Sequence, residues 1–159
     1  MKYYFKPHIS LDGHTFIFIQ EINPKHDCNG QVLQLSPQSR YAKSSTHKLN
    51  VHGHGTFCKF SISPKWKNRS GVYALYSGDE LLYIGESIDI YKRFNSGYGN
   101  ISPKNCYEGG QPTNCKINKL ILNHCLRKAS VALYFYETSD YKRIEKELRD
   151  AIKTPYNSA

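Results

Sequence analysis

Two short apolar runs, residues 71–76 and 81–85, stand on either side of Ser77-Gly78-Asp79, and no other feature of the chain limits its fold as much. Runs of this length, rich in Val, Leu, Ile and Tyr and split by a glycine-bearing turn, read as a β-hairpin. Beyond it the period changes. Ser87 offers a helix N-cap before a short helical pattern over 88–94, and residues 95–110 form a glycine-rich loop containing proline. Thr113 or Asn114 caps a second helix, in which Ile117, Leu120, Ile121 and Cys125 recur on one face. Residues 131–137 read as a third strand. Ser139 or Asp140 opens a last helix with Ile144, Leu148 and Ile152 as its buried stripe, and Pro155, which cannot continue a helix, stops it. The order is β-β-α-α-β-α, an α+β fold in which a small sheet is flanked by helices.

Residues 1–68 read as a β-rich N-terminal extension to that domain, which occupies 69–159. Strands are expected over 3–6, over 14–20 after an Asp12-Gly13 turn, over 31–35 after Asn29-Gly30, and over 56–63, where Phe57, Cys58 and Phe60 fall close together. A polar surface loop fills 36–55. A basic connector over 64–69 holds the chain's single tryptophan, Trp66.

The chain carries 22 Lys and Arg against 13 Asp and Glu, a formal charge of +9 that favours polyanionic partners through counterion release. Arg40, Lys43, Lys48, Lys65, Lys67, Arg69, Lys104 and Lys116 are the cations placed to contact phosphate, with Tyr98 and Asn114 beside them as polar contacts. A solvated basic loop accounts for the same composition. Hydrophobic residues make up 39%, enough to bury a core, and no apolar run approaches the roughly 20 residues a membrane span needs. The five cysteines, odd in number and without a C-x-x-C pair or a preceding signal pattern, are expected to be reduced thiols of a cytoplasmic protein. Cys28, His52, His54 and Cys58 do not have the spacing of a structural zinc site, and the bland reading of loop histidines and packed thiols is preferred.

Gly71-Val72-Tyr73 followed by Tyr83-Ile84-Gly85 resembles the paired motif of the GIY-YIG nuclease superfamily. Arg93 lies ten residues after Tyr83, where that family places its arginine. Glu145, within Glu145-Lys146-Glu147-Leu148, and Asn157, twelve residues later behind Pro155, look like its closing pattern. The likeness runs from about residue 68 to the C-terminus, and the stretches 83–87 and 109–118 look most like the small type II restriction endonucleases of the family. Two positions depart from it: Glu86 stands where repair-type members carry lysine, and Gly97 where they carry a tyrosine, with Tyr98 adjacent.

The resemblance implies a metal-dependent endonuclease acting on double-stranded DNA. Glu145 would hold one hard divalent ion, Mg²⁺ with Mn²⁺ as a substitute, whose role is Lewis-acid stabilisation of the phosphate and leaving group. Arg93 would brace the developing negative charge with its planar fork of donors. Tyr73 would serve as general base, which requires a free phenol with a pKa of about 10 to be depressed by a cation or the metal, and Tyr83 would share its cluster. Asn157 would fix the site rather than react. One active centre per chain and two strands to cut imply a homodimer on DNA. Weighed residue by residue, each has a plainer role: Glu145 in an i,i+4 pair with Arg149, Lys92-Arg93 as basic helix surface, and both tyrosines as hairpin packing. Glu147 competes with Glu145 as the metal ligand. A structure-selective repair or mobile-element nuclease, or a non-catalytic nucleic-acid-binding module on the same scaffold, are the alternatives at the level of function.

Overall fold

The computed structural model describes residues 5–157. Its elements are β1 (His8–Leu11), β2 (His14–Glu21), β3 (Gly71–Ser77), β4 (Glu80–Ser87), α1 (Ile90–Lys92), α2 (Pro112–Leu126), β5 (Ala132–Glu137) and α3 (Tyr141–Ala151), with short 3-10 turns between them. From β3 onward the order is the expected β-β-α-α-β-α, and the fold is α+β. By contacts the chain divides into two units, each drawn from both sides of residue 68. The first comprises Met1–Ile22, Ile62–Tyr91 and Ala129–Ala159, the second Asn23–Ser61 and Lys92–Lys128.

The first unit is built on a five-stranded antiparallel sheet in the order β1-β2-β5-β3-β4. β1 and β2 join through Asp12 and Gly13, whose φ values of 48° and 83° are the pair of positive angles that a two-residue hairpin turn requires. β2 then lies along β5, so residues 8–21 extend the sheet that the β3–β4 hairpin begins. The strand expected over 3–6 starts outside the described residues, and Phe5 and Lys6 are irregular. Alternation along the strands turns Val72, Ala74, Ile84, Ala132 and Tyr134 to one face, where they bury Ile144 and Leu148 of α3. Ile152 packs against the same core from outside the helix. α3 ends at Ala151, and Ile152 is already extended at φ −125°, ψ 124°, so the helix stops before Pro155 acts on it.

The second unit centres on α2. Pro112 starts it at the first helical position, where the missing N–H costs nothing, with Gln111 as N-cap rather than Thr113 or Asn114. Asn114, Cys115, Ile117, Asn118, Leu120, Ile121, Leu122 and His124 are all buried, so α2 is covered on more than the one face its pattern suggested, and Cys125 is only half-buried. The strands expected over 31–35 and 56–63 do not form; isolated pairings His26↔Val32 and Leu35↔Phe57 stand in their place. Over 56–63 the backbone at Cys58 is satisfied by Asn118 instead. Its Oδ1 accepts the Cys58 N–H at 2.9 Å and its Nδ2 donates to the carbonyls of Cys58 and Tyr98, each at 2.8 Å. A buried side-chain amide thus supplies what a neighbouring strand would have supplied. The short helix expected over 88–94 also differs: α1 covers Ile90–Lys92 and continues as a π-helical turn over Arg93–Tyr98, closed by the Gly99 N–H donating to the Phe94 carbonyl at 2.7 Å.

All five cysteines are free thiols. Cys28 is exposed, whereas burial pushes the Cys58 thiol up to about 12. Cys106 and Cys115 are buried and hydrogen-bonded to each other, which holds the Cys106 thiol low and the Cys115 thiol high.

Asn118→Ala removes one acceptor and two donors from buried backbone, so it is expected to destabilise the protein by about 2–4 kcal/mol. Equilibrium urea unfolding measures this, and a loss below about 1 kcal/mol would show that the amide is not what organises residues 56–61.

Candidate active site

The β3–β4 hairpin sets Tyr73 opposite Gly85, Ala74 opposite Ile84 and Val72 opposite Glu86. Tyr73 is 1% exposed, and its ring lies across the Gly85 backbone; any Cβ on Gly85 would run into the phenolic end. Gly71 is equally constrained, because a Cβ there would meet the Tyr136 carbonyl and the Phe135 ring of β5. Both glycines of the sequence motif therefore answer to packing partners. Tyr83 is half-buried with its ring centroid 6.3 Å from that of Tyr73. Trp66 meets Phe135 edge-on at 5.8 Å, and Phe135 is the register partner of Tyr73, so the connector before β3 joins this aromatic layer.

The residues paired with this layer in sequence alternation face the other way. Glu86 shares the face of Val72 and Ile84, the face on which α3 packs. There Glu145 is the acid that α3 turns inward: its side chain is 14% exposed, against 52% for Glu147. Burial holds the Glu145 carboxyl above the usual carboxylate range. The Arg149 guanidinium at 3.3 Å opposes that rise, while the charges of Glu86 and Asp150 add to it. Glu147 is instead bound to Arg143 at 2.8 Å on the solvent side of the helix.

Asn157 clamps the outer strand. Its Oδ1 accepts the Ile84 N–H at 2.7 Å and its Nδ2 donates to the Ile84 carbonyl at 2.8 Å, while Thr154 Oγ1 donates to the same Oδ1 at 2.6 Å. The Tyr156 N–H donates to the Leu82 carbonyl at 3.1 Å, so residues 156 and 157 occupy the free edge of β4.

Of the residues singled out in the sequence, the first unit brings together Tyr73 with Tyr83, and Glu145 with Arg149 and Glu86, and ties Asn157 to β4. Arg93 belongs to the second unit, half-buried, its guanidinium 6.0 Å from the Tyr98 ring. Tyr98 and Asn114, expected at the DNA surface, are both buried: the Tyr98 ring packs edge-on against Phe94 at 5.2 Å, and the Asn114 amide donates to Gln111 Oε1 at 3.1 Å. Lys65 and Arg69 flank the Trp66 ring at 5.0 and 5.2 Å, Arg69 also pairs with Glu137 at 3.5 Å, and Lys67 lies over Tyr91 at 5.1 Å. Arg40, Lys43, Lys48 and Lys104 are exposed and Lys116 is partly so. The motif reading passed over Glu86 as a neighbour of Glu145, although its place opposite Val72 in a strand of period two was the available signal.

Glu145 with Glu86 nearby suits a hard cation that keeps most of its water and takes one or two carboxylates. Among the described residues, no group of three or more His, Cys, Asp or Glu side chains is arranged to hold a metal. Cys58, one of the four residues weighed for zinc, is packed inside against Asn118. No helix of the described residues is long and apolar enough to cross a membrane. Comparison with protein-family models, with curated proteins and with solved structures gives no match to this chain.

Gly85→Ala is expected to cost about 1–3 kcal/mol by forcing the Tyr73 ring off the hairpin, measured by urea unfolding; a neutral result would separate the glycine from the tyrosine. Glu145 has a folded-state affinity for protons above its ordinary value of 4.5, so its stabilising contribution is present below that pH and is lost as pH rises through the folded value. In EDTA at pH 7, Glu145→Gln should therefore melt at a higher temperature than the wild type, with the difference closing near pH 4. A lower melting temperature at pH 7 would mean that the Arg149 contact outweighs the cost of burial.

Proposed function

We propose that this chain is a divalent-metal-dependent endonuclease that hydrolyses phosphodiester bonds in double-stranded DNA, a GIY-YIG-type nuclease of the sequence-specific type II restriction kind. The observation that carries the reading is the hairpin itself. The motif's first tyrosine lies on its second glycine, Tyr73 on Gly85, its first glycine, Gly71, is packed under Tyr136 and Phe135, and its glutamate is the one acid of the Glu145–Glu147 pair that α3 turns inward.

In this reading Glu145 would hold the divalent ion, with Glu86 on the same face of the sheet, and the ion when bound would supply Lewis-acid stabilisation of the scissile phosphate. The role of Tyr73 as general base, with Tyr83 in the same aromatic layer, rests on the sequence motif, because both tyrosines lie on the face of the sheet opposite to Glu145. Arg149, paired to Glu145 at 3.3 Å, holds that carboxylate in one orientation. Asn157 keeps β4 straight at Ile84, directly between Tyr83 and Gly85. Arg93 would give its fork of donors to a non-bridging phosphate oxygen; this role rests on its spacing from Tyr83 in the sequence. No covalent intermediate is required, because base and electrophile are separate groups.

Incubation of the purified protein with plasmid DNA and Mg²⁺ tests the proposal. Discrete fragments are expected, a smear would remove sequence specificity, and no product with either Mg²⁺ or Mn²⁺ would remove the nuclease reading. Glu145→Ala should lower cleavage by a factor on the order of 100 or more, while Glu147→Ala should leave it within a few-fold of wild type. The reverse pattern would reassign the metal to Glu147.

A further inference from the structure

The chain's positive charge belongs to one unit. The second unit holds twelve Lys and Arg residues against two acids, Asp27 and Glu108, a surplus of ten; the first holds ten against eleven. Four cations of the first unit are paired with acids: Arg143 with Asp140 and Glu147, Lys146 with Asp150, Arg149 with Glu145 and Arg69 with Glu137. In the second unit the two acids can neutralise at most two of the twelve cations. The crowding is felt locally, since His52 is held below its ordinary value by burial first and then by Lys116 and Lys119.

Part of this surplus is mounted on a built support. The Gln38 amide donates to the carbonyls of Gly53 and Gly55, at 3.3 and 2.5 Å, and the Gln38 carbonyl accepts the Tyr107 hydroxyl at 2.8 Å. Tyr41 packs on the Tyr107 ring at 4.6 Å. At the far end Leu49 packs against the buried cluster of Phe57, Ile101, Cys106, Tyr107 and Cys115, and the Lys48 carbonyl accepts the Glu108 N–H at 2.8 Å. Residues 38–49 thus form a loop pinned at both ends, of the compact kind that carries function. Between the pins Arg40, Lys43 and Lys48 are exposed among Ser39, Ser44, Ser45 and Thr46. Lys104, also exposed, sits in the 3-10 turn Pro103–Cys106, which packs against the turn bearing Arg40.

We infer that the pinned loop over 38–49, together with Lys104, is the surface by which this protein holds the phosphate backbone of duplex DNA. Ammonium, guanidinium and hydroxyl groups, with Ala42 as the exposed apolar side chain between them, suit phosphate oxygens and do not select bases. The inference rests on the proposal that duplex DNA is the substrate, and it assigns the grip to the second unit while the carboxylate chemistry stays in the first.

Binding of a fluorescent 20-base-pair duplex, followed in EDTA over a range of KCl concentrations, tests this. Each phosphate contact contributes about 0.9 to the slope of log affinity against log salt, so R40Q/K43Q/K48Q/K104Q should lower the slope by about 3 to 4. Lys43→Gln alone should lower it by about 1. The control K142Q/K146Q, on α3 of the first unit, should leave slope and affinity unchanged. An unchanged slope in the fourfold variant, an equal loss in the control, or no binding by the wild type would each overturn the inference. Plasmid cleavage with Mg²⁺ is scored separately: cleavage by wild type with no change in the loop variant's binding removes the grip alone, whereas loop-dependent binding without cleavage removes the nuclease reading alone.

Discussion

The contact of Tyr73 with Gly85 is the constraint on which the rest of the first unit turns. A phenol ring can be 1% exposed in the middle of a hairpin only if the facing strand gives it room, and the absent side chain of Gly85 provides that room. With Tyr73 lying across β4, the register of the hairpin is fixed, because a slip of one residue would drive the ring into Ile84 or Glu86 and reverse every other side chain as well. Gly71 extends the same logic to β5, and Phe135 passes it to Trp66. The free edge of β4 then needs a cover, since unpaired strand edges invite pairing with other chains. Tyr156 and Asn157 provide it with hydrogen bonds to Leu82 and Ile84.

The other face of the sheet obeys a different balance. α3 presents Ile144 and Leu148 to the core, and its exposed acids are neutralised by i,i+3 and i,i+4 partners that contribute little to stability individually. Glu145 differs because it is turned inward, where an ionised carboxylate is costly even with Arg149 beside it. On the proposed reading, a group held at such a cost, on the same face of the sheet as a second carboxylate, serves as a ligand rather than as a stabilising device.

Most of the β3-to-α3 order was legible because its signals are periodic: alternation in the strands and the 144/148 spacing in α3. Residues 56–63 show why alternation can mislead. Phe57, Cys58 and Phe60 are buried as their pattern indicates, but burial does not require a strand partner, and the amide that satisfies this backbone comes from Asn118, sixty residues beyond Cys58. Nothing local marks that asparagine. Tyr98 and Asn114 look like surface residues by their polar side chains; both are buried, Asn114 with its amide donating to Gln111, a choice made by tertiary packing. The choice between Glu145 and Glu147 was likewise open in sequence, since both fit the same four-residue motif, and only the rotation of α3 against the sheet separates them.

Composition concealed the charge distribution altogether. A formal +9 says nothing of where the charge lies, and the two units are interleaved along the chain, so no window of sequence isolates them. The segregation has a physical use on the proposed reading. Attraction to a phosphate backbone needs an unneutralised surplus of cations, but the same surplus around Glu145 would stabilise its anion and repel a divalent ion from it. The two requirements fall on different units: the first holds ten cations against eleven acids, the second twelve against two. In the first unit Arg149 is the cation that bears directly on Glu145, and Glu86 and Asp150 work against it. The near-neutral sheet unit can thus keep a carboxylate available to a metal ion while the basic unit supplies the attraction for DNA.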